Sequence, residues 1–420
     1  MKKIISLINN KFFSNSILYV LGSMMTPALG LIMMPIYTNY LSPAEYGTMT
    51  TIQTLSGMFQ LFLLLSLHGA VTRFFYDYLN DKERQKEYLG SIFTFVFIFS
   101  TFLSLLLLIF HNSIGSLLFS NIPINPYFFY LVGLSWTSSL FALPLALWRA
   151  EEKAGLFVLA NITKSILIMI VASFLIIVVG LGAEGVLLAH FIISVIFVIT
   201  SFTISRKSLK INLKSTYIKN SLIFSIPLLP HVASGWIIKS SDRVILEKFV
   251  DLGELGFYSL AAQVATVLSL FYTGVNSALV PRYTRLRKEG KNVKAKKLLR
   301  LFTVIIIITG VLSIPAAIFA VNLLMSSNYN DAMSYIPVLI IGEIIKGFYF
   351  IPVARLFYTK STKSIATSST IAAIANIMFN FLLIPYIGAY GAAVSTIIAE
   401  LIRFTLIYLA SKKSKQLKEI

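Results

Sequence analysis

The sequence predicts an all-α polytopic membrane protein, with twelve transmembrane helices in two parallel-repeat six-helix bundles around a central cavity. Three observations predict this fold: the composition, twelve long apolar stretches, and a correspondence between the two halves of the chain. Of the 420 residues, 57% are apolar and 13% are charged, and the mean hydropathy is +0.81. Soluble domains carry about 25% charged residues. Most of this chain must therefore meet lipid.

Each predicted span is a run of about 20 mostly apolar residues, the length that crosses the hydrocarbon core of a bilayer. The twelve runs are 15–40, 48–71, 89–110, 127–147, 156–180, 185–205, 221–245, 256–280, 301–324, 336–358, 365–386 and 389–410. The loops between them are about 20 residues or shorter, and the chain has no P-loop motif. There is no room for a soluble catalytic domain, so we predict that the protein is not an enzyme.

Lysine and arginine are distributed very unevenly between the two sides of these spans. With the N-terminus placed in the cytoplasm, 29 of the 36 lie in cytoplasmic segments and one, Lys248, lies in an outer segment. Cytoplasmic loops of membrane proteins carry this excess. The pattern predicts two cytoplasmic termini and explains most of the net charge of +19 without nucleic acid. The chain has no cysteine and four scattered histidines, which excludes a disulfide framework and predicts no metal site.

The two halves of the chain share residues at a nearly constant offset. Glu45 and Glu254 are 209 residues apart, and so are Gly47 and Gly256. Three further pairs keep offsets between 206 and 209: Arg73 with Arg282, Pro144 with Pro352, and Gly182 with Gly388. An even number of spans per half makes such repeats parallel, related by an axis along the membrane normal.

This repeat defines the predicted domains. We expect an N-terminal bundle at 1–205, a basic cytoplasmic linker at 206–220 and a C-terminal bundle at 221–420. Two bundles of this kind enclose a central cavity, and rocking them exposes the cavity to each face of the membrane in turn. The architecture predicts a secondary transporter.

Charged side chains within the spans are the predicted site. Each costs about 2.5–3.5 kcal/mol at the bilayer centre, so we expect them to line the cavity or to pair. The predicted substrate-binding cations are Lys164, Lys239, Arg243 and Lys346. The predicted polar lining is Gln53, Gln60, Asn161, His231, Asp242, Glu343, Glu400 and Arg403. The excess of cations favours an anionic ligand, although the two pairs spaced three residues apart, Glu343–Lys346 and Glu400–Arg403, are equally compatible with structural locks between helices.

Four short segments carry a resemblance to a known family. They are Pro35–Gly47, Gly69–Phe74, Ser241–Leu246 and Gly256–Ala261. In this order they resemble the polysaccharide repeat-unit (O-antigen and capsule) flippases of the multidrug/oligosaccharidyl-lipid/polysaccharide exporter superfamily. The resemblance covers the whole chain.

The resemblance implies a flippase in the bacterial cytoplasmic membrane. Its substrate would be an undecaprenyl-pyrophosphate-linked oligosaccharide, moved to the outer leaflet for O-antigen (lipopolysaccharide), capsule or exopolysaccharide biosynthesis. The family also implies no cofactor, a proton or sodium gradient as driving force, and membrane lipids, a polysaccharide polymerase and a chain-length regulator as partners. Two alternatives stay open: a membrane polysaccharide polymerase or ligase, and an ion-coupled small-molecule antiporter of the drug-exporter branch.

Overall fold

The computed structural model of the chain describes residues 27–413 apart from Leu29, and all regular structure in these residues is helical. The chain divides into two compact units. Unit 1 consists of the chain up to Tyr40 together with Thr48–Val232, and unit 2 of Leu41–Gly47 together with the chain from Ala233 onward.

Unit 1 is built around one central helix. A helical segment at 30–40 precedes α1 (Pro43–Leu64), α2 (Leu67–Phe74), α3 (Lys82–Ile109), α4 (His111–Leu118), α5 (Ile124–Ala150), α6 (Ala154–Ile177), α7 (Gly182–Ser205) and α8 (Ser215–Ser225). The most buried of these helices is α5, which contacts α2, α3, α6 and α7. Its apolar residues on every face fit this central position, because a helix that is apolar all round is buried on all sides.

Unit 2 has the same kind of centre. Its helices are α9 (Leu229–Phe249), α10 (Leu252–Lys288), α11 (Asn292–Leu324), α12 (Ile336–Tyr358) and α13 (Thr362–Lys413). The helix α12 contacts α10, α11 and α13. The point where the two units part, after Val232, lies inside α9.

Acidic side chains fix the start of α1 and of α10. At α1, the Ser42 backbone N–H donates to Oε2 of Glu45 (2.9 Å), and the Glu45 N–H donates to Oγ of Ser42 (3.3 Å). This reciprocal arrangement is a capping box. At α10, Oδ1 of Asp251 accepts hydrogen bonds from the N–H groups of Gly253 (2.8 Å) and Glu254 (3.0 Å). Each of these capped turns begins a long helix. The two cap positions, Ser42 and Asp251, are 209 residues apart, the offset that relates Glu45 to Glu254.

A sharp bend separates α1 from α2. The two helix axes differ by 52°, and Leu65 and Ser66 between them have φ values of 50° and 56°. Side chains other than glycine rarely adopt this left-handed conformation. The predicted span 48–71 is therefore a bent one.

The long helix α13 is interrupted at Ile387 and Gly388. Gly388 has φ 55° and ψ −138°, which side-chain-bearing residues avoid. Just beyond the break, the backbone N–H of Ala389 donates to Oε1 of Glu254 (2.8 Å). The break falls between the predicted spans 365–386 and 389–410. A Cβ atom on Gly391 would lie 2.6 Å from the Leu383 backbone, a distance that residues eight apart in one continuous helix cannot reach, so the chain turns back here as predicted.

Within residues 27–413, Leu29 excepted, nine helical stretches are long and apolar enough to cross a membrane, or ten if the bent pair α1–α2 is one span. Half of the predicted span 15–40 lies outside the described residues. The protein is an all-α, multi-pass membrane protein, as the sequence predicts.

The predicted linker 206–220 is packed onto unit 1. The backbone N–H of Lys210 donates to the carbonyl of Lys86 in α3 (3.0 Å). Gly90, one turn further along α3, lies so close to the Lys210 backbone that no side chain fits between them. The last part of the predicted linker is already helical, because α8 begins at Ser215.

Candidate functional site

Unit 1 contains a polar cavity of about 520 Å³ among its membrane helices. Side chains from α1, α5, α6 and α7 line it. Gln53 and Gln60 lie seven residues apart, two helical turns, and therefore on the same face of α1. Polar lining at membrane depth is expensive in lipid and marks a substrate or ion pathway. The structure brings four of the sequence-predicted site residues to this cavity: Gln53, Gln60, Asn161 and Lys164.

Lys164 is the cation of this cavity. Its Nζ lies 4.4 Å from the ring centroid of Phe141, a cation–π contact. It makes no ion pair with a carboxylate in the part of the chain that the structure describes, and no acidic residue lines the cavity. An aromatic face satisfies a cation only partly, so Lys164 keeps donors for an anionic group.

Amide and imidazole groups surround this cation. Gln60 Nε2 donates to the carbonyl of Ser138 (3.2 Å), and Asn161 Nδ2 donates to the carbonyl of Phe157 (2.8 Å). These bonds hold both amides in place, and each amide keeps its carbonyl oxygen as an acceptor. His190 of α7 also lines the cavity. His190 and Phe141 are not among the residues predicted for the site, because a lone histidine or phenylalanine in an apolar helix carries no signal of its own.

In unit 2, the predicted residues Asp242 and Arg243 lie at the contact of α9 with α10. Asp242 is 5% exposed and accepts hydrogen bonds from the Tyr258 hydroxyl and from the Arg243 backbone N–H (2.8 Å). The Arg243 guanidinium is 4.0 Å from Asp242, at the limit of an ion pair. The Asp242 carboxylate thus bonds mainly to the Tyr258 hydroxyl, and the Arg243 guanidinium keeps most of its N–H donors for other groups.

Lys239 and Lys346 are the other predicted cations of unit 2. Lys346 pairs with Glu343 on the same helix (3.2 Å). Lys239 is exposed and makes no ion pair among the described residues, although it is close enough to Lys346, Arg243 and Glu343 to interact electrostatically. The cluster therefore holds three cations. Glu343 and the Tyr258-bound Asp242 lie beside them, and Glu400 is close enough to Lys346 to interact electrostatically.

The pair Glu400–Arg403 is largely enclosed. Glu400 is 2% exposed, and its Oε1 lies 3.5 Å from Nη1 of Arg403. Arg403 also donates from Nε to the Ser369 hydroxyl (3.2 Å) and stacks over the Tyr349 ring at 3.9 Å. Because one guanidinium joins α12 and α13 through these contacts, the arrangement is that of a lock between helices.

His231 is exposed near the beginning of α9 and lies in unit 1, so it does not share the surroundings of Asp242. Asn376 and Asn380 of α13 are fully buried and were missed: Oδ1 of Asn376 accepts from Ser241 (3.0 Å) and from Asn380 (3.2 Å). Two amides four residues apart in an apolar span are the signal that would have identified them.

No group of three or more histidine, aspartate or glutamate side chains within the described part of the chain is arranged to hold a metal ion. The cavity of unit 1 and the cation cluster of unit 2 can both donate charge-assisted hydrogen bonds to an anionic ligand.

Comparison with protein families gives a direct match. Residues 12–287, about two thirds of the chain, match the family described as "Polysaccharide biosynthesis protein". The chain belongs to this family. The family resemblance found in the sequence is confirmed.

Three similar proteins illustrate the match. The capsular polysaccharide biosynthesis protein CapF of Staphylococcus aureus is 25% identical over 399 residues, covering 89% of this chain and 92% of CapF. The probable low-salt glycan biosynthesis flippase Agl15 of Haloferax volcanii is 23% identical over 374 residues, covering 86% of this chain and 75% of Agl15. Among solved structures, the lipid II flippase MurJ in its inward closed conformation matches with a TM-score of 0.75 and 18% identity, covering 94% of this chain and 88% of MurJ. That structural likeness concerns the fold alone.

Proposed function

We propose that this protein is a flippase that moves an undecaprenyl-pyrophosphate-linked oligosaccharide across the cytoplasmic membrane by alternating access. The product would be used for O-antigen, capsule or another exopolysaccharide. The proposed direction is from the cytoplasmic to the outer leaflet. The protein acts as a transporter and not as an enzyme.

The observation that carries the proposal is the polar cavity of unit 1. Lys164, which has no carboxylate partner among the described residues, lies there with two glutamines and an asparagine from the membrane helices. A phosphate accepts charge-assisted hydrogen bonds from the lysine, and sugar hydroxyls exchange hydrogen bonds with the amides. A cavity for a cationic drug would present the opposite charge.

The family and the named relatives support the same substrate class. CapF is named for capsular polysaccharide biosynthesis and Agl15 for glycan biosynthesis as a probable flippase. A glycan made on a lipid carrier at one face of a membrane must cross to be used at the other. A membrane protein of this family without a large loop between its helices suits that step better than polymerisation or ligation.

We propose twelve spans in two parallel six-helix repeats with both termini in the cytoplasm. Counting the segments of α13 before and after Gly388 separately, and adding a first span at 15–40, brings the ten observed stretches to twelve. The proposed domains are those predicted from the sequence: 1–205, the linker 206–220 and 221–420.

No cofactor is proposed. The gradient of protons or sodium as driving force, and a polymerase and a chain-length regulator as partners, are part of the same proposal.

Deletion of the gene in its own host tests the function. We expect lipid-linked oligosaccharide to accumulate and surface polysaccharide to disappear, and we expect re-expression of the protein to reverse both changes. The control is a strain that lacks the glycosyltransferase step, which loses the polysaccharide without accumulating the full-length intermediate. Unchanged levels of the lipid-linked intermediate in the deletion strain would contradict the proposal.

The same strains separate the flippase from the drug-exporter alternative. A flippase deletion leaves resistance to cationic drugs unchanged. Increased drug sensitivity together with normal polysaccharide would favour the small-molecule antiporter.

A further inference from the structure

The short helix α8 has one face that is packed against the rest of unit 1. The Tyr217 ring meets the edges of Tyr88 (5.8 Å between centroids) and Tyr78 (5.7 Å). Ser221 shares a hydrogen bond with the Tyr88 hydroxyl (3.3 Å). This aromatic cluster holds α8 in a fixed position against α2 and α3.

The neighbouring face of α8 lines an open groove of about 630 Å³. Its residues are spaced three or four apart, which places them in one stripe along the helix. The groove is lined by Phe95, Leu213, Ser215, Ile218, Lys219, Leu222, Ile223, Ile226 and Pro227. Seven of these nine residues are apolar, so the groove suits a hydrocarbon chain.

One free positive charge lies in this apolar groove. The nearby Lys210 pairs with Glu87 (3.0 Å), and Lys214 pairs with the other oxygen of Glu87. Lys219, in contrast, makes no ion pair within the described residues, and its side chain is exposed. A lysine can lay its aliphatic part along an apolar wall and keep its ammonium group at the polar boundary.

The groove also lies at the level expected for a lipid headgroup. Glu87 belongs to the charged first turns of α3, whereas Phe95 belongs to the apolar part of the same helix. A groove between these two levels spans the transition from polar boundary to hydrocarbon. Basic pockets at this level of membrane proteins bind anionic headgroups.

We propose that this groove binds one anionic phospholipid, with an acyl chain along α8 and the phosphodiester at Lys219. A phosphodiester carries a single negative charge, which matches the single free lysine. A pyrophosphate carries more charge than one lysine neutralises, so the lipid-linked substrate is the poorer match. A helix of a partner protein is the third candidate for the groove. It would have to carry an acidic residue opposite Lys219 to compensate the charge of this lysine.

Native mass spectrometry of the purified full-length protein tests this site. The protein is released from detergent after incubation with phosphatidylglycerol or with phosphatidylcholine of the same acyl chains. We expect one phosphatidylglycerol molecule to be retained in preference to phosphatidylcholine. Lys219→Gln should reduce phosphatidylglycerol retention about fivefold, and Lys219→Arg should keep it.

Two further variants separate the site from general effects. Lys363→Gln removes an exposed lysine at the start of α13 in unit 2 and should leave phosphatidylglycerol retention unchanged. Ile223→Asn makes the exposed wall of the groove polar and should reduce retention of both lipids. The thermal unfolding midpoint of each variant reports whether the fold is intact.

Three outcomes overturn the proposal. One is equal retention of the two lipids by the wild-type protein. Another is an unchanged phosphatidylglycerol preference in Lys219→Gln. The third is displacement of phosphatidylglycerol by an equal concentration of a polyprenyl diphosphate that depends on Lys219, because the groove would then belong to the substrate lipid.

Discussion

Gly47 packs against the first turn of α10, and Gly256 packs against the first turn of α1, in a reciprocal contact within unit 2. A Cβ atom on Gly47 would be 2.5 Å from the carbonyl oxygen of Leu252 and 2.9 Å from the Gly256 nitrogen. A Cβ atom on Gly256 would overlap the carbonyl oxygen of Pro43. Pro43 and Leu252 are themselves 209 residues apart, the offset that relates Gly47 to Gly256. Both glycines are therefore needed because two backbones approach closely.

Replacing Gly256 with alanine tests this contact. The added methyl group meets backbone, which cannot rotate away, and overpacking of this kind costs about 1–3 kcal/mol. We expect Gly256→Ala and Gly47→Ala each to lower the thermal unfolding midpoint of the purified protein. Gly235→Ala is the control, because nothing lies within 4 Å of the added atom. Equal midpoints for Gly256→Ala and Gly235→Ala would show that the turns can separate freely.

Lys164 is expected to contact the substrate directly. Loss of one charge-assisted hydrogen bond removes about 1.5–3 kcal/mol, so Lys164→Ala should reduce transport of the lipid-linked oligosaccharide at least tenfold. Lys164→Arg keeps the charge and should retain more activity. Surface polysaccharide is measured in the deletion strain, with membrane abundance of each variant beside it. Lys363→Ala is the matched control, and normal export by Lys164→Ala at wild-type abundance would exclude this role.

The cations of unit 2 should act in a graded way. Lys239→Ala and Lys346→Ala each leave the neighbouring cations in place, so we expect partial loss of transport from each and a larger loss from the pair. Arg243→Lys keeps the charge but loses the planar fork, which separates electrostatic from bidentate binding. Initial rates of export in the complemented strain measure these effects. A complete loss of membrane abundance would instead indicate that the residues lock helices together.

For Arg403 we expect an effect on stability. Removing one partner of a buried ion pair leaves an uncompensated charge and costs about 3–5 kcal/mol. Arg403→Ala should therefore lower membrane abundance, because Glu400 is 2% exposed. Adding Glu400→Gln to Arg403→Ala should restore part of the abundance, as the second change removes the unpaired carboxylate. If the double variant is no more abundant than Arg403→Ala, the pair is not a lock.

Reporter fusions test the proposed topology. An enzyme active only outside the cytoplasm should be active when fused near residues 45, 115 and 330. It should be inactive when fused near residues 80, 212 and 290, because these loops carry the excess of lysine and arginine. A fluorescent protein that folds only in the cytoplasm serves as the complementary control. Consistent reversal of either set would contradict the parallel-repeat arrangement.

The sequence by itself determined the class of protein, its helical character and its family. Apolar runs as long as 301–324 have no stable alternative to a membrane helix, because backbone groups in lipid must be satisfied within the segment. The capping residues Ser42, Glu45 and Asp251 fix where helices begin through contacts with their own turn. The capping contacts depend only on neighbours a few residues away, although they were not among the predictions made from the sequence.

Only the tertiary structure decided which of the predicted polar residues meet. Gln53, Asn161 and Lys164 line one cavity with Phe141 and His190, although they lie on different helices. Asp242, predicted as cavity lining, accepts a hydrogen bond from Tyr258, and His231 of the same helix is exposed. Their role in lining a cavity stays a prediction. Helical periodicity gives the face on which a side chain lies, but not the helix that this face will contact. That choice depends on how whole surfaces fit together, at places such as the approach of Gly47 to Gly256, and no single segment contains this information.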